Sequence, residues 1–437
     1  MKRTSRRRFL SSATAAGAAV AAVGATSIAG TVSPNDQISV GLVGFNGMGM
    51  GHVRRLASNR GARIVALCDI DDSVLARGVN AVREIADYIP RTTRNFPAII
   101  EDESIHAVVI ATPHHWHCPI AVPALLAGKD VYVEKPASHV FHEGRLLVDA
   151  ARKNERIVQH GTQMRSSPVT AEAAEVLASG ILGEIRITKA WNVQDRGFAK
   201  PTSDSRPPSG IDYDRWLGPA KKRPFNRHRF HRTWRLFQDY GNGDMGDDGA
   251  HDLDMAAFGL GVTEHPVRIT AHGSNVKPPG YREFPDNMNV SFEFADGRVL
   301  IYEDRLFTPY GMHGVDSGNA FYGTEGYMIF SRRGFFRTYL GRKEEPGPKS
   351  GESGRVGAPV PSHMQDFLNS VRSRKTGKTS AEIAHRTSAL IHLGEIAYRT
   401  RTVLEFDPET ETVTNNRKAN AMLTKEYRAP YGLSEHV

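Results

Sequence analysis

Short, largely apolar runs recur through the first third of this chain, and a segment of helical periodicity follows each one. The runs are Ile38–Val43, Arg63–Leu67, Ala107–Ala111 and Val131–Val133; the helical segments begin near Met48, Ser73, Pro119 and Ser138. Strands that lack a polar face and alternate with helices pack as a parallel sheet covered on both sides. A last unit of this kind ends near Ile157–His160. Ligands of such sheets bind beyond the carboxyl ends of the strands, so the residues that follow each run carry the functional information.

The first run is followed by Gly44-Phe45-Asn46-Gly47-Met48-Gly49. This matches a dinucleotide fingerprint at Gly44 and Gly49, with Asn46 in place of the middle glycine. The free N–H groups and positive dipole end of the helix that follows suit a pyrophosphate. Asn tolerates left-handed backbone angles but adds bulk near the phosphate. Asp69 ends the second run, where a carboxylate accepts hydrogen bonds from a ribose diol and repels a 2′-phosphate. That favours NAD over NADP. The bland alternative is a turn plus a helix-capping aspartate.

Beyond the third run lies Thr112-Pro113-His114-His115-Trp116-His117. Three histidines suggest a metal, but two are adjacent and no cysteine or carboxylate stands at a useful spacing, so no metal site is expected. Lining a cofactor cleft and capping the next helix are the remaining readings. Glu134-Lys135-Pro136 ends the fourth run. A lysine there is either a solvated terminus or a charge held in a cleft.

From Gly161 the texture changes. A helix at Pro168–Ser179 leads to a strand at Glu184–Asn192, then to a long Pro-, Arg- and Gly-rich region, 194–246. Strands near Pro266–Ala271, Asn289–Phe294 and Arg298–Asp304 suggest an open antiparallel sheet, and helices follow at His363–Arg374 and Ala381–Thr400. Domains are expected at 37–160 and 161–400, with a polar tail at 401–437 able to pack back over the body. Within 243–254, a helix starting near Asp247 or Asp248 would place Asp247 and His251 four apart on one face. A carboxylate there can orient the ring and raise its basicity, as a general base requires. An acidic helix N-terminus is the competing explanation.

The net charge of +8 points toward nucleic acid only on first sight. Lys2, Arg3, Arg6, Arg7 and Arg8 lie in the first 30 residues with no acid, and without them 51 basic residues face 48 acidic ones. Arg6-Arg7-Arg8-Phe9-Leu10 followed by the mild apolar stretch 13–29 reads as a twin-arginine export signal over residues 1–30, with a periplasmic or other extracytoplasmic destination. Cys68 and Cys118 are expected to be free thiols.

The glycine turn Gly44–Gly49, Ala111–His117 with Glu134–Pro136, and Asp247–Asp254 occur in an order and spacing that resembles the glucose–fructose oxidoreductase, inositol dehydrogenase and rhizopine-catabolism (Gfo/Idh/MocA) family over roughly residues 37–400. The resemblance implies an α/β chain: an N-terminal Rossmann domain plus a C-terminal α/β domain with a large, open, mostly antiparallel sheet that commonly makes homo-oligomer contacts. It implies that Lys135 touches both nicotinamide and substrate hydroxyl, that His251 is the base and that Asp247 is its companion. It places Gly44, Asn46, Gly47, Met48, Gly49, Asp69, Thr112, Pro113, His114, His117, Glu134 and Lys135 at the cofactor, and Gln163, Arg165, Trp191 and Arg232 at the substrate pocket. The implied activity is oxidation of a hydroxyl on a sugar, sugar derivative or cyclitol with NAD. An exported enzyme meets little free NAD, so a tightly bound cofactor working in a closed oxidation–elimination–reduction cycle on a glycoside is the alternative, outside the two-carboxylate scheme. A non-catalytic sugar-binding protein is a third reading.

Overall fold

A computed structural model of the protein describes residues 37–195, 200–276, 278, 280–351 and 362–433. The leader, and with it the export signal, lies outside the described residues. Six parallel strands, β1 (Ile38–Val43), β2 (Ala62–Cys68), β3 (Arg91–Thr93), β4 (Ala107–Ile110), β5 (Asp130–Val133) and β6 (Val158–His160), form one sheet in the order β3-β2-β1-β4-β5-β6. The apolar runs explain this arrangement. Leu42 of β1 lies opposite Leu67 of β2 and Val109 of β4, and all three are fully buried. The strand order reverses between β1 and β4, which opens a crevice at their carboxyl ends.

The second sheet has ten strands: β7 (Ile185–Val193), β8 (Arg268–Ser274), β9 (Asn287–Glu293), β10 (Val299–Arg305), β11 (Ser317–Gly323), β12 (Gly326–Ser331), β13 (Phe335–Leu340), β14 (Glu345–Lys349), β15 (Leu404–Asp407) and β16 (Thr412–Val413). Their order is β14-β13-β12-β11-β7-β10-β9-β8-β15-β16, antiparallel throughout except for the parallel pair β7–β10. Helix Gly249–Leu260 packs on one face, where an added methyl on Gly259 would strike the Phe321 ring. On the opposite face Tyr322, Tyr327 and Tyr339 stack at 5.7 and 4.9 Å beside Ile187, which is 40% exposed.

Two features depart from the expected division at residue 160. Helix His363–Ser373 returns to the first domain, where Met364, Phe367, Leu368 and Val371 join the core built on β1 and β2. Helix Ala381–Thr400 spans both cores: Ala381 and Ala384 belong to the first, Ala389 to Ala397 to the second. Strands β11–β14 and the short β3 carry no expectation from sequence. Cys68 and Cys118 are buried free thiols, as expected.

The tail is integral to the body. Glu411 accepts hydrogen bonds from His265 Nε2 (3.1 Å), His385 Nε2 (3.0 Å) and Arg145 Nε and Nη2 (3.0 and 2.5 Å). The two imidazoles and the carboxylate are close enough to hold a metal ion. The guanidinium, however, already supplies the positive charge and occupies the lone pairs, so the cluster is a knot that fastens the tail to two helices. Burial alone would raise the Glu411 pKa, but these hydrogen bonds outweigh it and hold the carboxyl well below its usual range. Glu411→Ala should lower stability by about 3 kcal/mol, because it leaves a partly buried guanidinium without its carboxylate. Urea unfolding reads this directly, and a change within about 0.5 kcal/mol, typical of surface positions, would contradict the assignment.

Candidate active site

A cleft of 620 Å³ opens at the carboxyl ends of β1, β2, β4 and β5. Its floor is the glycine turn. Gly44 has φ +74°, and an added methyl would collide with the Thr112 backbone at 2.9 Å. Gly47 has φ +94° and caps helix Met48–Ala57, and nothing lies within 4 Å of the methyl it lacks. Gly49 brings that helix against Gly44 and Ala111. The first turn of the helix holds no acid, so its amide end is free to meet an anion. Met48 and Asn46 border the same opening. The Asn46 amide lies 3.3 Å from His231 Nδ1 and accepts from Arg77 at 3.1 Å.

Asp69 lines the cleft, and its oxygens accept the N–H groups of Phe45 (2.9 Å) and Asp71 (3.2 Å). It therefore buttresses the glycine turn as well as facing the cleft, and burial pushes its pKa up to about 6 despite these hydrogen bonds. Thr112 and Pro113 form the wall after β4, and Thr112 Oγ1 is buried with no partner among the described residues. His114 lies in the same wall, bonded through Nδ1 to Asn242 (3.1 Å) and set edge-on to Trp234 at 4.6 Å. His117 contacts the carbonyls of Pro136 (2.6 Å) and Thr112 (2.9 Å) and so ties the two strand-end turns together. His115, bonded to the Trp216 and Tyr240 carbonyls, faces away from this wall. The three histidines do not converge on one point.

Lys135 is the charge held in a cleft rather than a solvated terminus. Its Nζ donates to Asp247 Oδ1 (2.5 Å) and to the Asp247 carbonyl (2.9 Å), and its side chain is 10% exposed. Glu134 lines the cleft edge, but its carboxylate is spent behind it. It accepts from His52 Nε2 (2.8 Å), Gln163 Nε2 (2.9 Å) and Tyr132 Oη (3.2 Å). Burial opposes its ionisation; the His52 hydrogen bond and the nearby positive charges outweigh burial and hold its pKa at about 2. Glu134 thus positions the strand end that carries Lys135 instead of offering its oxygens to a cofactor.

The shared helical face expected for Asp247 and His251 is not formed. Asp247 (φ −89°, ψ −98°) sits in the break between helices Gly243–Gly246 and Gly249–Leu260. Free of both helices, its carboxylate bridges Lys135 and Arg235 Nε at 2.9 Å. His251, in the first turn of the second helix, lines the cleft independently, and its Nδ1 is buried with no partner among the described residues. Burial, then the charges of Lys135 and Arg332, pull its pKa down to about 3, so the ring is neutral at ordinary pH.

The four expected pocket residues lie elsewhere. Gln163 supports Glu134 from behind, and Arg165 forms a two-pronged ion pair with the buried Asp254 (2.8 and 2.9 Å). Trp191 is fully buried in the second sheet and donates to the Val315 carbonyl. Arg232 is exposed, and Arg235 of the same insert enters the site in its place. Sequence reasoning missed Arg235, Trp234, His231, Arg215, Trp116 and Tyr431, all of which line the cleft. The aromatic spacing of residues 216–240 was the available signal. Trp216, Phe225, Phe230, Trp234, Phe237 and Tyr240 form a small core that holds the insert in shape.

The family model described as "Oxidoreductase family, NAD-binding Rossmann fold" matches residues 38–162, and its companion "Oxidoreductase family, C-terminal alpha/beta domain" matches 177–308 and 355–433. A protein named glycosyl hydrolase family 109 protein 2, from Shewanella sp. (strain ANA-3), is 38% identical over 135 residues, which is 30% of this chain and 30% of the relative. Levoglucosan dehydrogenase of Pseudarthrobacter phenanthrenivorans is 26% identical over 289 residues, 57% of this chain and 66% of the relative. The chain thus spans less than a third of the first relative's length and 66% of the second's. The solved structure of a levoglucosan dehydrogenase complexed with NADH superposes with a TM-score of 0.64 at 21% identity, covering 84% of this chain and 97% of that one, and shares the fold.

The electrostatics of the site make a prediction. Lys135 lowers the His251 pKa, so Lys135→Met should raise it. Nitrogen NMR of His251 across a pH titration reads this, with a neutral ring down to about pH 3 in the parent. An unchanged titration in the variant would contradict the coupling.

Proposed function

Because this chain belongs to the Gfo/Idh/MocA oxidoreductase family, we propose that it oxidises or reduces a hydroxyl-bearing carbon of a sugar, sugar derivative or cyclitol with a nicotinamide dinucleotide. The observation that carries the reading is the meeting of Lys135, Asp247 and His251 on the rim of a dinucleotide-type cleft. Around that cleft, the space that the described residues leave open over Gly47, the acid-free helix end and the Thr112 hydroxyl, unpartnered among those residues, fit such a cofactor. Gly44, Gly47, Asp69 and Thr112 would hold it, and Lys135 would flank its reactive ring. Bound there, it supplies hydride acceptance and donation. Asp69 supports NAD over NADP, so NAD is expected to bind the more tightly.

The chain's own residues handle the hydroxyl and its proton. The Lys135 ammonium stabilises developing negative charge on a substrate oxygen and lowers that hydroxyl's pKa. Asp247 fixes the ammonium, and Arg235 fixes Asp247 from the other side. His251, at the cleft wall with its Nδ1 unpartnered among the described residues, is the group placed to accept the proton; the burial and cationic charge that keep it neutral also weaken it as a base. Trp234, with the Arg235 guanidinium 4.3 Å above its ring, closes the substrate side.

A second reading is favoured by the names of several relatives, which are glycosyl hydrolase family 109 proteins, together with the leader sequence. In it the same residues serve a closed cycle on a glycoside, with a tightly held cofactor. Export by the twin-arginine route and a homo-oligomer through the second sheet belong to the same proposal. The tyrosine row beside Ile187 supports the latter.

Purified protein should release a nicotinamide chromophore on denaturation or bind added NAD. Net NADH formation from a free sugar supports the dehydrogenase; glycoside cleavage without net NADH supports the closed cycle. Binding of neither NAD nor NADP would sink both. Lys135→Ala, folded as judged by circular dichroism, should lose about 10³-fold or more in kcat/KM, and retained activity would remove Lys135 from the mechanism.

A further inference from the structure

The last described segment of the chain reaches the cleft. Pro430, Tyr431 and Gly432 line it. The Tyr431 ring stands 5.1 Å from Trp116 at 78°, and Trp116 stands 5.3 Å from Phe96 at 71°. Phe96 follows β3 and Trp116 follows β4, so this aromatic wall reaches across the crevice from the β3 side to the β4 side, in the same cleft that Asp69 lines. Lys135 and His251 occupy the β5 side.

Chain ends fray unless they are tied down, and this one is tied repeatedly. Lys425 Nζ pairs with Glu143 Oε1 at 2.7 Å, and the Glu143 side chain is fully buried. Tyr427 Oη donates to the same oxygen at 2.9 Å. Arg428 donates from Nε to the Gly218 carbonyl (2.7 Å) and from Nη1 to Asp214 Oδ1 (2.8 Å), while its guanidinium lies 5.2 Å from the Tyr431 ring centre. These anchors bind the tail to the first domain and to the insert together, and they deliver Tyr431 to the cleft. Tyr431 and Leu433 are half-buried against the core of the first domain.

We propose that residues 425–432 are a strap that retains a dinucleotide by its adenosine end, with Tyr431 completing the wall begun by Phe96 and Trp116. The proposal rests on the dinucleotide reading above. In that reading the end of β2 receives the adenosine ribose, and the base must lie beyond it toward the aromatic wall. Aromatic faces accept a nucleobase without sequence-like readout, and loss of one costs roughly ten- to a hundredfold in affinity. Retention of this kind acts mainly through a slower dissociation rate.

The test is equilibrium binding and dissociation rate of NAD, ADP-ribose and nicotinamide mononucleotide with the full chain, freed of any copurified nucleotide. Tyr431→Ala should weaken NAD and ADP-ribose by roughly ten- to a hundredfold, mostly in the off-rate. It should leave nicotinamide mononucleotide unchanged, and Tyr431→Phe should restore the parent values. Arg428→Ala, which frees the strap without removing its ring, should shift the same two ligands in the same direction. If Tyr431→Ala binds all three ligands like the parent, or weakens all three equally, the strap is refuted. If the parent binds no dinucleotide at all, the functional reading fails first.

Discussion

The pairing of Lys135 with Asp247 is the contact on which the site depends. It joins the carboxyl end of β5 in one domain to a helix break in the other, with Nζ held by both the carboxylate and the carbonyl of Asp247. Burying an ammonium is costly unless its partners are close and well oriented. Here the second side of the carboxylate is taken by Arg235, so one acid is shared between two cations. This arrangement leaves net positive charge where a substrate oxygen would become anionic. Burial first, and then the charges of Lys135 and Arg332, lower the His251 pKa and keep the ring neutral.

Support for that contact is layered. Glu134 fixes the strand end through His52, which lies on the helix that opens at the glycine turn, so the glycine turn and the Lys135 end of the cleft share one hydrogen-bonded frame. His117 ties the turn after β4 to the turn after β5. Beyond these, the insert with its own aromatic core brings Arg235 and Trp234 to the cleft, and Pro430, Tyr431 and Gly432 of the tail line it as well. The two domains also share a helix and exchange a second one across their boundary. Relative movement between them would have to disturb these shared cores.

Much of this was legible in the residues. The all-apolar runs dictated the parallel sheet because no other packing covers both faces of such strands, and Gly44, Asp69, Thr112 and Lys135 fall at the strand ends where that sheet binds ligands. Features set by long-range packing were not legible. Helix His363–Ser373 carries the amphipathic pattern of any surface helix, and nothing local says which core it covers. Asp247 and His251 have helical spacing, but Asp247 takes a non-helical conformation at the junction to reach Lys135 and Arg235. The resemblance places Trp191 and Arg165 in a substrate pocket, whereas the second sheet buries Trp191 and an ion pair with Asp254 holds Arg165. Strand β12 opens at Gly326 and β14 carries Pro346, Gly347 and Pro348, residues that weaken the sequence signal of a strand.

The most direct test of hydride chemistry at this site is to follow one deuterium. A substrate found by screening sugars and glycosides is labelled on its reacting carbinol carbon and mixed with enzyme-bound NAD for a single turnover. Mass spectrometry of the nicotinamide then reports the transfer. The account predicts deuterium on the cofactor in the parent protein and none in Lys135→Ala. In a closed cycle the label would go on to return to the sugar. A substrate that turns over while its deuterium stays in place throughout, or passes to water without visiting the nicotinamide, would contradict the account.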